Sequence, residues 1–136
     1  MASPEAFDVI VDQIADRWTT TPVVFENDAF DLPETPAPFI YVEVFGDFFG
    51  QASIGDEPRD NNLWREGGQA DFHVMTPNGT GSREARSLAS QIAGLFRGQD
   101  IAGVSFLDAS IGAGDPGRAF AGYYAMTATV NFERDE

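Results

Sequence analysis

A chain of 136 residues, 43% of them apolar, has material for one domain with a proper core and not for two, which excludes disorder, coiled coil and collagen. The absence of cysteine excludes a disulfide framework, thiolate metal ligation and cysteine nucleophiles. Twenty-two acids against eight basic residues, all of them arginine, set a net charge of −14; that leaves no lysine for Schiff-base or P-loop chemistry and no basic stripe to displace counterions from nucleic acid.

No apolar run approaches the roughly 18 residues of a membrane span. Residues 1–8 lack the cationic and apolar regions of a signal peptide, so the sequence predicts a protein made and kept in a cytoplasm-like compartment. Charge is uneven along the chain: residues 1–60 hold 13 acids and 2 arginines, and residues 61–136 hold 9 acids and 6 arginines. One part of the folded surface is therefore expected to be distinctly negative.

Ser3, Pro4 and Glu5 form a helix start: a capping hydroxyl, a proline whose missing N–H costs nothing in the first turn, and an acid at the positive dipole end. Phe7, Ile10, Val11, Ile14 and Trp18 then fall on one stripe, predicting an amphipathic helix over residues 4–18 that Pro22 and the preceding threonines stop. Residues 23–25 read as a short strand. Pro33, Pro36 and Pro38 make an extended approach to a strand over residues 39–45, in which Ile40, Val42 and Val44 share one face. Residues 46–62 hold too much glycine, proline, aspartate and asparagine for a core element, and predict a long aromatic-bearing loop or a flexible hairpin arm. A strand over 70–76, antiparallel to 39–45, brings the chain back. Residues 77–81 are a turn, Ser82 is placed to cap a helix over 83–97, and Gly98 to end it. A strand over 104–111, a turn over 112–117 and a long alternating strand over 120–132 complete the order α-β-β-(arm)-β-α-β-β. The predicted class is α+β, a single domain over 1–136 with a mostly antiparallel sheet and both helices on one face.

The residues give little for catalysis. His73 is the single histidine and sits in a predicted strand, where it reads as packed or solvent-facing; one histidine makes neither a histidine-based zinc site nor a triad without a nucleophile elbow. Asp56, Glu57, Asp60, Asn61 and Asn62 are oxygen donors of the type that calcium takes, but their spacing is not that of an EF-hand and a solvated acidic turn fits better. Gly79-Thr80-Gly81-Ser82 precedes a helix without the lysine or spacing of a phosphate loop, and reads as a β–α connection. Asn78-Gly79-Thr80 spells a glycosylation sequon with no secretory signal to give it meaning. No cofactor, metal site or catalytic residue is expected.

The stronger signal is Phe45, Phe48, Phe49, Ile54, Leu63 and Trp64, six large apolar side chains in a segment unsuited to a core. Some can tuck back onto the sheet. The functional reading is that they anchor a partner or a neighbouring subunit and order on assembly, because aromatic groups in exposed segments make interface hot spots.

The helix from Pro4, the Val23-Val24-Phe25-Glu26-Asn27 strand and the proline-rich approach to residues 39–45 form the first part of a further pattern. Arg65-Glu66-Gly67-Gly68-Gln69, Pro77-Asn78-Gly79-Thr80-Gly81 and a helix ending Ile92-Ala93-Gly94-Leu95-Phe96 complete it. Over nearly its whole length the chain resembles the tail terminator proteins of long-tailed bacteriophages and phage-like particles. The resemblance implies an α+β subunit without catalytic residues, made in the host cytoplasm and incorporated in the virion. It would assemble as a hexameric ring on the tail tube, halt tube polymerisation and present a surface to the head-completion or stopper protein, with the segment of residues 46–63 contacting neighbours or the tube. High acidity and the lack of lysine depart from that pattern. Six copies at −14 each carry −84, so Arg59, Arg65 or Arg118 is expected to pair with carboxylates between subunits. Part of the acidic surplus, Asp47, Asp56, Glu57 and Asp60 included, is expected to face the lumen, where DNA passes without binding. A head-side connector is the alternative assembly protein, and a small acid- or metal-dependent enzyme the alternative of another class, requiring a pocket with two perturbed carboxylates or a bound cation.

Overall fold

The structure, a computed structural model, describes residues 2–116 and 120–136. Helix α1 (Pro4–Arg17) starts as its sequence dictates: the Ser3 hydroxyl accepts from the Ala6 N–H at 3.2 Å and Pro4 occupies the first turn. Its buried side, Ala6, Ile10 and Ile14, is continued by Trp18. Helix α2 (Arg83–Gly94) buries Ala85, Leu88, Ala89, Ile92 and Ala93. The Ser82 hydroxyl does not cap it, contrary to the sequence expectation; the residue already has helical backbone angles (φ −108, ψ −3) and its carbonyl, not its side chain, begins the ladder by accepting from the Arg86 N–H. After Gly94 the bonds tighten, Leu95 to Ile92 and Phe96 to Ala93, and the chain leaves through Gly98 at φ 69, a left-handed position that suits glycine.

Six strands follow: β1 (Val23–Phe25), β2 (Phe39–Gln51), β3 (Trp64–Pro77), β4 (Asp100–Ile101), β5 (Val104–Pro116) and β6 (Tyr123–Asp135). They form one sheet in the order β1-β2-β3-β6-β5-β4, antiparallel except for β1 beside β2. The class is α+β, as predicted, with differences in detail: β6 begins at Tyr123 and runs to Asp135 rather than over 120–132, and α2 ends at Gly94 rather than at residue 97. The two-residue β4 is added. β2 and β3 run on well beyond residues 45 and 70. Residues 112–116, expected as a turn, are the end of β5, because register shifts at Phe106/Ala109 and Ile111/Gly114 take up the extra residues and let pairing with β6 resume; Gly117, the last residue of that expected turn, lies outside the described residues.

Side chains on successive strand residues point to opposite faces. One face carries Ile40, Val42, Val44, Ala70, Phe72, Val74, Met126, Ala128, Val130 and Phe132, which join the buried sides of both helices in the main core. Phe96 stacks on Phe72 at 5.2 Å and tilts against Phe106 at 5.0 Å, so α2 is keyed to the sheet by rings. The other face is covered at one end by a second cluster in which Phe39 meets Phe30, Phe120 and Tyr123 at 5.0–5.1 Å. The Ala37 N–H donates to the Tyr123 hydroxyl at 3.3 Å, tying the proline-rich segment down.

The middle of that second face is polar. His73 is buried among Tyr41, whose ring stacks on it at 6.0 Å, Glu43 (Nε2 to Oε1, 2.7 Å) and Thr127 (Nδ1 to Oγ1, 2.7 Å). Burial and the neighbouring Glu43 and Glu26 carboxylates push the Tyr41 hydroxyl above its ordinary pKa. The packed reading of His73 fits this place in the sheet.

Part-way along the β2–β3 ladder, Gly46 pairs with Gly68, Asp47 is the extra residue of a bulge, and Phe48 pairs with Gly67. A Cβ on Gly68 would strike the Phe45 carbonyl oxygen and come within 2.8 Å of the Phe132 ring; the three atoms nearest to one on Gly67 all belong to the Phe48 ring. Backbone cannot yield as a side chain can. Gly68→Ala is therefore expected to lower stability by about 1–3 kcal/mol, read as a lower urea midpoint, and Gly67→Ala by clearly less; equal midpoints would remove this account of the glycine pair.

Candidate assembly surface on the β2–β3 hairpin

The excursion is an ordered hairpin. Ladder pairing of β2 with β3 continues to Gln51 opposite Trp64, and the Ala52 N–H donates to the Leu63 carbonyl at 2.7 Å. Asn62, only 5% exposed, organises the tip: its Oδ1 accepts from the Asp56 N–H, and its Nδ2 donates to the Asp56 and Arg59 carbonyls. The Ser53 hydroxyl accepts from the Leu63 N–H at 2.7 Å, and the Arg59 guanidinium donates twice to Gln51 Oε1 at 3.0 and 3.2 Å. The turn-forming residues that argued against regular structure thus close a compact tip over residues 52–63. Ordering on assembly is not needed for it; the arm is paired within the single chain.

The two sides of the hairpin differ. β3 is backed by β6 along its length, as far as Arg65 opposite Asp135, and the Glu136 N–H donates to the Trp64 carbonyl. β2 loses its other neighbour after Val42, where β1 ends; Glu26 extends the cover by one step, its side chain accepting from the Val44 N–H at 3.2 Å. Beyond that point Phe45, Phe48 and Phe49 are 43%, 48% and 37% exposed, and Ile54 at the tip is 91% exposed. Leu63 is also exposed, and Trp64 is half-buried with Phe49 stacked on it at 5.7 Å. That pair lines an open groove of about 530 Å³ together with Asp60, Asn61, Asn62 and Glu136. Five of the six residues singled out from sequence are exposed, and all six lie on this one hairpin.

The charged candidates have separate fates. Arg65 forks onto Asp135 within its own chain, Nε to Oδ1 at 2.6 Å and Nη2 to Oδ2 at 3.0 Å. The bond holds the Asp135 carboxyl below its ordinary pKa and the guanidinium above its own, so Arg65 is already committed and is a poor candidate for an intersubunit pair. Arg59 is on the tip and has no ion pair among the described residues. Arg118 lies outside the described residues. Asp47 occupies the bulge, and Asp56, Glu57 and Asp60 are exposed at the tip. Among the described residues no three His, Asp or Glu side chains gather as a metal set, and the donors near Asn62 serve the turn.

Sequence reasoning missed Leu32, Leu107 and Ile111, which are also exposed. The glycines after Ile111 were a signal for the last, since glycine inside a strand pattern often marks a bulge.

No family model matches the chain, and no curated protein does. Solved structures do match. One of them, whose name states no activity, shares 19% identity over 96% of this chain and 90% of its own, with a TM-score of 0.58. At that identity the likeness is one of fold alone. Among the described residues no helix is long and apolar enough to cross a membrane.

Proposed function

We propose that the protein is a structural component of a phage-type virion: a subunit that forms a ring on the end of the tail tube, stops tube polymerisation and offers the joining surface for the head-completion or stopper protein. The observation that carries this reading is the hairpin. It presents Phe45, Phe49, Ile54 and Leu63 to solvent along the open β2 edge and the hairpin tip, and exposed apolar groups grouped on one element mark a protein interface. A subunit with an adhesive arm on one edge and a different surface on the other makes heterologous contacts, which close into a ring when the rotation between copies permits. Six copies and a place at the tail end are what the resemblance to tail terminators implies. DNA passes through such a ring unbound, repelled by a wall to which Asp47, Asp56, Glu57 and Asp60 contribute.

The test is assembly. Light scattering on the chromatographed protein, alone and with tube protein, is expected to show a ring or a ring that appears with the tube, and negative-stain images of particles lacking the protein to show tails of uncontrolled length or without heads. A monomer under both conditions together with normal particles would end the reading.

A further inference from the structure

Both helices lie on the same face of the sheet, and each turns one side away from it. On α1 that side is Glu5, Asp8, Asp12 and Asp16, spaced by three, four and four residues and all exposed. Glu5 reaches Arg134 at 3.9 Å; Asp8, Asp12 and Asp16 have no ion pair among the described residues. Like charges at i,i+4 destabilise the helix that bears them, so this stripe opposes the fold of the lone subunit.

The outward side of α2 has the opposite sign. Arg83 and Arg86 stand on the helix and Arg97 one turn past its end, around a floor of Ser87, Ser90 and Gly94, all exposed. A Cβ on Gly94 would meet nothing within 4 Å, so the floor is low, and beside it Arg83, Arg86, Ser87, Ser90 and Gln91 line a shallow groove of about 550 Å³. None of the three arginines has an ion pair among the described residues; Arg86 donates from Nε to the Ser82 hydroxyl at 3.3 Å. In a chain of net charge −14, α2 carries two arginines without an ion pair against one exposed carboxylate, Glu84, and Arg97 lines a separate groove with Asp100 and Asp108.

We propose that the outward face of α2 is a docking surface for the outward face of α1 of a second copy of this chain. The inference rests on the reading that copies assemble, and adds which surfaces meet. At 1.5 Å per residue Asp8 to Asp16 spans roughly 12 Å and α2 from Arg83 to Gly94 roughly 17 Å, so the acidic stripe is no longer than the helix that receives it. The low floor lets the helices approach closely, and arginine forks match carboxylates in two parallel bonds. Two unlike patches in contact make a heterologous interface, and the contact removes both the repulsion within α1 and part of the repulsion between acidic copies. Nucleic acid is a poor occupant of the same face, since the −14 field turns a polyanion away.

The experiment measures self-association of the full chain by light scattering, with tube protein added if the ring requires it. D8R/D12R and R83E/R86E are each expected to weaken association about a hundredfold, because like charges brought face to face cost several kcal/mol. An equimolar mixture of the two variants is expected to recover it, each supplying the face the other lacks, and 0.5 M salt to weaken the wild type. All substituted side chains are exposed, so circular dichroism should be unchanged; should a reversal disturb folding, D8N/D12N and R83Q/R86Q are each expected to weaken association by a smaller factor, read without the mixing arm. Association that survives the single reversals, or that the mixture fails to recover, overturns the helix pairing while leaving ring formation standing. A wild type that stays monomeric with and without tube protein removes both.

Discussion

Glu66→Ala is expected to be the most damaging single substitution outside the aromatic core, lowering stability by about 3–5 kcal/mol, the range for removing one partner of a buried charge pair. Glu66 is fully buried on β3. Its Oε1 accepts from the Ser3 N–H at 3.3 Å and from the Ser3 hydroxyl at 2.8 Å, and its Oε2 from Arg134 Nη2 at 3.4 Å. Ser3 is also the cap of α1, so a single carboxylate holds the helix start, its positive dipole end and a β6 arginine to the sheet. Alanine would leave the Ser3 donors and an arginine side chain only 14% exposed without their acceptor, and would open a cavity beneath α1. Glu66→Gln keeps the shape and an acceptor oxygen, and should cost about 1–2 kcal/mol. Glu66→Leu combined with Arg134→Met should recover much of the loss, because a buried pair replaced on both sides by apolar groups is often neutral. Urea midpoints order these variants, and amide exchange along α1 shows whether the helix loosens first. A midpoint for Glu66→Ala no lower than that of the exposed Asp8→Ala would dismiss the staple.

That network also marks where reading the chain stops. Helix α1 was legible because its signals are local: Ser3, Pro4 and the spacing of Ile10, Ile14 and Trp18 lie within sixteen residues. The tie from Ser3 to Glu66 crosses 63 residues, and nothing in either neighbourhood announces it. A glutamate inside a strand pattern reads as a solvent-facing position until the partner that neutralises it is known. The ends of β2 and β5 were misjudged for a related reason. Glycine and aspartate lower strand propensity, but the bulge at Asp47 and those beyond Phe106 and Ile111 absorb such residues and let the ladder resume. The bonds that decide the matter belong to a partner strand, not to the segment itself. The hairpin residues were found by the mismatch between their size and the polar, turn-rich chain around them, a local signal; the charged outward sides of α1 and α2 follow likewise from helical spacing, and the structure adds that Asp8, Asp12, Asp16, Arg83 and Arg86 have no ion pair among the described residues.

Phe45→Ser with Ile54→Asp is expected to abolish assembly while sparing the fold. The two residues are 43% and 91% exposed, and changes at exposed positions usually move stability by no more than about 0.5 kcal/mol. Truncation of an interface hot spot costs about 2 kcal/mol or more in binding, roughly thirtyfold for each residue. The contrast between an unmoved urea midpoint and a lost ring separates an adhesive arm from a merely structural hairpin. Phe49→Ser serves as an internal control of the opposite kind: its ring stacks on Trp64, so stability and assembly should fall together. A ring that forms at the wild-type concentration with Phe45 and Ile54 replaced would place the contact elsewhere. Charge reversal on α2 would then be the variant expected to break the association, and the arm would be a feature of the subunit alone.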